Sequence, residues 1–360
     1  MSYITSIGTA LPEYHYKQTE IADFMREYVN ADDRIDRLIR ILYSKSAIDE
    51  RYSVVPDFSE RNGNHYLFNG QQAPLSRRMS LFAEEAPELA LQAAVNAMHN
   101  MELKSITHLI TVSCTGMSAP GLEIKLMQRL GLSDDVIRLS VNFMGCYAAF
   151  HAMRIADSLC RSEPNARVLI VCVELCSIHF MKDITEDNLR ANAIFSDGAA
   201  AIVISSKARP GWHWKLKRFF SRLLPKGMKD MAWEIGDDAF KMRLTSYIPE
   251  LVKEGVEPLL TGCLDTLDLD KQDIDKWAIH PGGVKILDAV QEVMSLDEHA
   301  LDFSRNVLRH YGNMSSPTIL FVLKEMWDRV DPESDEMIFS AGFGPGLTLE
   351  SLLIEQTAVH

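Results

Sequence analysis

Cys146 stands in the stretch "VNFMGCYAAF", where an alternating apolar pattern gives way to helical spacing. A residue at that junction faces the N-terminus of a helix, whose free N–H groups and partial positive charge stabilise a thiolate. Gly145 before it lets the chain turn sharply and lets a substrate approach the backbone. Free cysteine is also among the most buried residue types. The local pattern therefore leaves two readings open, nucleophile or core filler. His280 ends the apolar run "KWAI" and precedes the turn "PGG". That placement suits a side chain facing a cavity, and equally a hydrogen-bonded loop histidine in a chain with 11 histidines. Asn313 in "YGNMSS" lies just beyond a helical segment, where asparagine is common for turn reasons. A cysteine with a distant histidine and asparagine is a known nucleophilic constellation. Spacing alone does not bring the three together.

The elements that would position them alternate between strand and helix. "ITHLITVSC" (106–114), "ARVLIVCVE" (166–174) and "GAAAIVISS" (198–206) read as buried strands, rich in β-branched residues and bounded by turn signals. Ile137, Leu139, Val141 and Phe143 alternate with polar or smaller neighbours, the period of a strand. After Gly145 the period becomes helical, with Ala149, Met153, Ala156 and Cys160 on one face. A helix is expected over 80–98, rich in helix formers. The second half alternates in the same way, with a strand over 275–280, a helix over 284–294, a helix over 304–313 closing on Gly312, and a helix over 316–330. Ser316 is expected to cap that last helix, with Pro317 in its first turn. Residues 337–355 read as strand, glycine-rich loop, strand. The class is α/β, without a low-complexity linker between the halves.

Composition narrows the function. The chain has 360 residues, 37 Lys plus Arg against 50 Asp plus Glu, and a net charge of -13. Such a balance argues against a nucleic-acid partner, which needs a basic face. No apolar run reaches membrane-spanning length, and the N-terminus lacks a signal-peptide pattern, so the expected location is the cytoplasm. The six cysteines are scattered and expected to be reduced thiols. No metal-ligand pattern, phosphate loop or dinucleotide fingerprint appears, so no metal and no cofactor is expected.

The stretches "NFMGCYAAF", "IFSDGAAAIVI", "WAIHPGGVKILD", "YGNMSSPTILFVL" and "FGPGLTLE" together resemble the type III polyketide synthases, the chalcone synthase family, in order and spacing along nearly the whole chain. The resemblance implies a thiolase-like fold: two similar halves, here 1–206 and 207–360, forming an αβαβα sandwich, normally a homodimer. It implies Cys146 as the acyl-accepting nucleophile and His280 and Asn313 as its partners, the histidine holding the cysteine as an ion pair. Phe195 matches the gate between the coenzyme A tunnel and the cavity, and Met242, with Phe240 close by, falls nearest the second gating position. Gly342, Phe343, Gly344 and Pro345 match the loop that shapes the cavity wall, and Ser315 lies beside the asparagine. The substrates implied are an acyl-CoA starter and malonyl-CoA, with coenzyme A thioesters the only small molecules needed.

This chain also departs from the plant pattern. Cys114 and His179 stand at cavity-wall positions usually held by threonine, and Ala119 replaces the methionine that crosses to the partner subunit. Of the basic residues that hold coenzyme A phosphates only Lys45 aligns directly, with Arg37 and Arg40 close by. The chain resembles the bacterial members of the family, which suggests a fatty acyl starter and an alkylpyrone or alkylresorcinol product. The stretch 207–229 carries eight basic residues and no acidic ones. It reads as a strand pair with a solvated face, or as a docking surface for an acyl carrier protein or an anionic lipid surface. Two other functions compete: a ketoacyl synthase III of fatty-acid synthesis, against which "HPGG" and "GFGPG" argue, and a non-catalytic acyl-binding partner, against which the intact triad argues.

Overall fold

The computed structural model describes residues 1–58, 66–69, 71–99, 101–208 and 211–359. The first half runs β1 (Tyr3–Ala10), β2 (Tyr14–Lys17), α1 (Gln18–Tyr28), α2 (Asp33–Ser44), β3 (Glu50–Ser53), α3 (Leu75–Ala97), β4 (His108–Ser113), α4 (Leu122–Leu130), β5 (Ile137–Asn142), α5 (Ala148–Ser162), β6 (Arg167–Leu175), α6 (Glu186–Ile194) and β7 (Asp197–Ser205). The second half adds β8 (Gly211–Leu223), β9 (Met231–Ile235), β10 (Phe240–Leu244), α7 (Ile248–Leu264), β11 (Lys276–Ile279), α8 (Val284–Val293), α9 (Asp302–Tyr311), α10 (Thr318–Trp327), β12 (Met337–Gly344) and β13 (Thr348–Val359).

The main sheet has the order β11-β12-β13-β8-β1-β7-β6-β4-β5. Its two halves meet only where β1 pairs β8, at Tyr3↔Lys215 and Ile4↔Trp214. Three apolar clusters fill the layers between. One packs α3 on strands of the first half, and one packs α7 and α8 on strands of the second. The middle cluster joins α5 and α10 to strands of both halves. Helices lying between two apolar sheets must be apolar nearly all round, and α10 buries Thr318, Ile319, Leu320, Phe321, Val322 and Leu323 in succession. This is the expected α/β sandwich of thiolase type. The strands β4, β6 and β7 have almost every residue buried, as their unbroken apolar runs require.

Two local expectations need correction. The stretch 207–229, outside the undescribed residues 209 and 210, holds one strand rather than a strand pair. That strand, β8, hydrogen-bonds along its length to β13, and its Lys215 and Lys217 turn to Glu355 at 3.0 and 3.1 Å. Ser316 does not cap α10, which begins at Thr318 after Pro317. Its hydroxyl donates instead to the buried Glu174 carboxylate at 2.6 Å, a stronger, charge-assisted partner. The alternating stretch around Val141 forms β5 as expected; it is the edge strand of the sheet, and its Ile137 and Leu139 are exposed.

Candidate active site

Cys146 lies where the expected junction puts it, between β5 and α5, inside a 3-10 turn of Gly145–Tyr147 that runs into the helix. Gly145 has φ +76°, and a Cβ there would sit 2.4 Å from Pro345 Cδ. Only glycine lets the nucleophile turn press against the loop after β12. The thiol is fully buried. Burial pushes it up to about 11, and the Glu174 carboxylate pushes the same way. Hydrogen bonds from the Ser315 and Asn313 side chains and from the turn's own backbone pull in the other direction and do not win.

His280 follows β11 and is 1% exposed. Its backbone N–H donates to Ala341 O at 2.8 Å, which fixes the residue beside the glycine-rich loop. Among the described residues neither ring nitrogen has a hydrogen-bond partner. Burial alone drives the imidazole down to about 3. Burial thus acts on the two groups in opposite directions, raising the thiol and lowering the imidazole, and in each case it disfavours the charged form.

Asn313 is oriented from behind. Its Oδ1 accepts from the Ser315 N–H at 2.8 Å and from the Thr318 hydroxyl at 3.4 Å. With the oxygen so engaged, the amide nitrogen faces the site, donating to Gly282 O at 3.2 Å and to the Cys146 sulfur. Ser315 itself takes a left-handed backbone, φ +59°, a strain common at functional sites.

Two cavities meet at these residues. One, of about 370 Å³, opens past α2 and the start of α8 and is lined by Cys146, His280, Asn313 and Phe343. The other, of about 30 Å³, lies deeper and is lined by Cys146, Cys114, Cys176, His179, Ser315 and Pro345. Cys146, Phe195 and Met242 belong to both walls. The two residues expected as gates thus stand at the junction. Gly342 and Gly344 line neither cavity; they abut Phe150 and Tyr147.

The deep cavity has an unusual wall. β9 and β10 form an isolated hairpin, a unit of marginal stability by itself. It is clasped to the first half by side chains. His179 donates through Nε2 to Thr115 O at 2.7 Å and accepts the Phe240 N–H on Nδ1 at 3.1 Å. Its ring stacks on Phe240, with centroids 4.4 Å apart. Trp233 Nε1 donates to Cys114 O at 2.7 Å. Met242 lies two residues beyond Phe240 on the same strand. Beneath this wall Glu174 is fully buried and accepts from Cys114 N, Thr115 Oγ1, Ser113 Oγ and Ser316 Oγ. Its only sequence signal was a carboxylate inside an apolar strand.

Around the outer cavity, Lys45 is on the wall as expected, whereas Arg37 and Arg40 are not. Both are exposed on α2, and Arg40 is engaged with Asp36 at 2.9 Å. Arg190 and Lys285 line the cavity instead. Sequence reasoning missed them, although Lys285 falls within the quoted "HPGGVKILD". Ala119 is exposed in the loop after β4. Among the described residues no group of three or more His, Cys, Asp or Glu could hold a metal ion, and no helix is long and apolar enough to cross a membrane.

A buried cysteine at a strand-to-helix turn, beside a histidine and an asparagine from the other half of an αβαβα sandwich, defines a condensing enzyme of thiolase fold. Residues 1–208 match the family model for chalcone and stilbene synthases, N-terminal domain, and residues 215–358 match that for the C-terminal domain. The chain belongs to this family, the type III polyketide synthases, which are acyltransferases. It is 31% identical to the alpha-pyrone synthesis polyketide synthase-like Pks18 of Mycobacterium tuberculosis, over 99% of this chain and 91% of that protein. Its structure is similar to PKS-I of the brown alga Ectocarpus siliculosus, with TM-score 0.92 and 28% identity over 99% and 98% of the two chains. It is also similar to the C-terminal type III polyketide synthase domain of Steely1 from Dictyostelium, with TM-score 0.91 and 27% identity over 98% and 99%.

Proposed function

We propose that the chain extends an acyl-CoA starter with malonyl-CoA on Cys146 and cyclises the product to an alkylpyrone or alkylresorcinol. The observation that carries this reading is the meeting of two cavities at one cysteine, with Phe195 and Met242 between them. The outer cavity receives coenzyme A thioesters, and Lys45, Arg190 and Lys285 face their phosphates. The deep cavity, with its largely apolar lining, receives the growing chain.

The starter thioester is attacked by the Cys146 sulfur while neutral His280 takes the thiol proton. The proton passes to the leaving sulfur, so coenzyme A departs as a thiol and the acyl group stays on Cys146. Malonyl-CoA then loses carbon dioxide. Negative charge develops on its thioester oxygen, which accepts hydrogen bonds from His280 and from the Asn313 amide. The enolate carbon attacks the Cys146 thioester, forming the ketoacyl-CoA as the C–S bond breaks, and the released Cys146 thiolate takes one proton from solvent. Phe195 keeps water from the enolate.

The chain divides in this reading into halves 1–206 and 207–360, needs no cofactor beyond these thioesters, and works in the cytoplasm with its cysteines reduced. It acts as a homodimer. The exposed edge of β5 supports this, since Ile137, Leu139 and the nearby Met117 are uncovered there. Delivery by an acyl carrier protein is a further element, with Arg222 and Lys229 the exposed basic residues left beside β8.

The test is incubation of pure protein with fatty acyl-CoA and malonyl-CoA, with products analysed by mass. A cyclised polyketide, lost in Cys146→Ala, is expected. A single ketoacyl thioester would point to ketoacyl synthase chemistry and overturn the proposal.

A further inference from the structure

The gate aromatic and the amide of the proposed reaction form one mechanical unit. The Asn313 N–H donates to Ile194 O at 2.9 Å, and the Ser196 N–H donates to Asn313 O at 2.9 Å. This isolated bridge clasps Phe195 against Asn313 outside any sheet. Phe195 is the residue that ends α6, and Asn313 follows Gly312, which ends α9. Two helix ends joined by two hydrogen bonds have little rigidity of their own. A third element holds them.

That element is Arg51 on β3, 1% exposed and among the largest fully buried side chains. Its Nη1 donates to Asn192 O at 2.7 Å and to Phe195 O at 2.8 Å. These are carbonyls at the C-terminal end of α6, where a cation is favoured. Its stem runs beside Gly312. A Cβ there would lie 3.0 Å from Arg51 Cγ and 3.1 Å from Ile194 O, and Gly312 has φ +67°. One side chain therefore grips the gate's carbonyl with its head and packs on the residue before Asn313 with its stem. The Tyr43 hydroxyl donates to the same Asn192 O at 3.0 Å, extending the contact to α2 on the outer cavity.

Stability alone is a poor account of this arginine. Among the described residues no carboxylate forms an ion pair with it, and its Nε and Nη2 have no hydrogen-bond partner. The charge rests on helix carbonyls, on the rings of Tyr43 and Phe180, 5.4 and 5.7 Å from its centre, and on the buried Asp197 carboxylate, which favours it without a direct ion pair. A buried cation so thinly compensated is costly, and residues that break a packing rule cluster where function needs them.

We propose that Arg51 is a positioning residue that holds Phe195 and Asn313 in register for malonyl decarboxylation, an assignment that rests on the function proposed above. It touches neither substrate nor the reacting sulfur. It acts through the Phe195 carbonyl and the Gly312–Asn313 turn. Acylation of Cys146 uses His280, which Arg51 does not contact, so the two half-reactions respond differently.

The experiment compares Arg51→Lys and Arg51→Met with wild-type protein and with Arg78→Lys. Arg78 is as deeply buried, but it donates to the carbonyls of Ala73, Ile178 and Phe180 on the other wall. Acyl-enzyme formation is followed by mass with acyl-CoA alone, and carbon dioxide release is followed with malonyl-CoA alone. A displaced donor typically costs about 10²-fold. Decarboxylation is expected to fall by that order in Arg51→Met and less in Arg51→Lys, while acylation stays within about threefold. Arg78→Lys should lower stability and leave the ratio of the two rates unchanged. If both half-reactions fall together, if neither falls, or if Arg78→Lys shifts the ratio as strongly, the proposal is overturned. Should Arg51→Met not fold, Arg51→Lys decides by the same criterion. A wild-type protein that forms no acyl-enzyme would overturn the proposed function instead. Arg51 is then judged by the structure of Arg51→Lys, where unmoved Phe195 and Asn313 overturn the assignment.

Discussion

His179 and His280 occupy opposite walls of the same site and are alike in burial. Both lose nearly all contact with water, and burial pushes both imidazoles down to about 3. They differ in what their nitrogens do. His179 spends both on the backbone, donating to Thr115 O and accepting from Phe240 N–H. His280 spends neither. Its ring lines the outer cavity instead, where the proposed reaction needs a donor and an acceptor. Burial and a shifted pKa thus do not mark a catalytic histidine. In the proposed reaction the difference lies in which ring keeps its nitrogens free of the backbone.

The largest effects should separate the pair directly. His280→Ala is expected to cut both acylation of Cys146 and malonyl decarboxylation, each by about 10²–10⁴, with little change in melting temperature because the ring has no hydrogen bond to lose. His179→Ala strands Thr115 O and Phe240 N–H, so it should lose about 2–4 kcal/mol of stability. Its acyl-enzyme should still form. Rates measured by mass and stability measured in urea test both. If His179→Ala abolished acylation as His280→Ala does, the division between the two histidines would be wrong.

Asn313→Ala comes next and sharpens the role of the catalytic wall. With its Oδ1 anchored by Ser315 and Thr318, the amide is a fixed donor rather than a rotating one. Its loss should slow decarboxylation by about 10²–10³ while Cys146 still accepts an acyl group. Unchanged carbon dioxide release would show that His280 alone holds the enolate.

A third difference is read by pH. A histidine whose folded pKa is depressed stabilises the fold fully above the ordinary value near 6.5, and that contribution is lost as pH falls toward 3. Each histidine should add about 1 kcal/mol per pH unit to the slope of stability in that window. Either alanine variant should remove one such increment. The reacting pair has its own signature. A neutral thiol pushed up to about 11 predicts that alkylation of Cys146 by iodoacetamide keeps rising through alkaline pH. A plateau already reached near neutrality would show that the thiolate–imidazolium pair exists in solution.

The catalytic wall was far more legible in sequence than the other. Cys146, His280 and Asn313 each sit at the end of an element, and such ends carry local signals: a change of period, a strand followed by "PGG", a helix closed by glycine. The α/β class and the buried strands were legible for the same reason, since periodicity is local. The wall held by His179 was not. Its partners lie 64 and 61 residues away, and nothing in "CSIHF" tells which backbone groups will face the ring. The capping assignment of Ser316 failed similarly, because Glu174, 142 residues away, competes for its hydroxyl. Lys215 and Lys217 looked like a solvated face until Glu355 on the neighbouring strand met them.

The smallest expected effect concerns the second clasp of the hairpin. Trp233 makes one hydrogen bond across the wall, Nε1 to Cys114 O at 2.7 Å. Its ring also meets His179 and Phe240 edge-on, at 5.6 and 5.9 Å between centroids. Trp233→Phe keeps most of the ring contact and removes the bond. Stability should fall by about 1 kcal/mol, less than in His179→Ala, which strands two backbone groups rather than one. Acylation and decarboxylation should stay near wild-type rates, because Cys146, His280 and Asn313 do not touch the indole. The product profile should broaden, since β10 carries Met242 to the junction of the two cavities and a looser hairpin holds it less firmly. Urea midpoints and product masses, measured on the two variants side by side, decide the point. A loss in Trp233→Phe as large as that in His179→Ala would mean that the indole, not the imidazole, holds the hairpin in place.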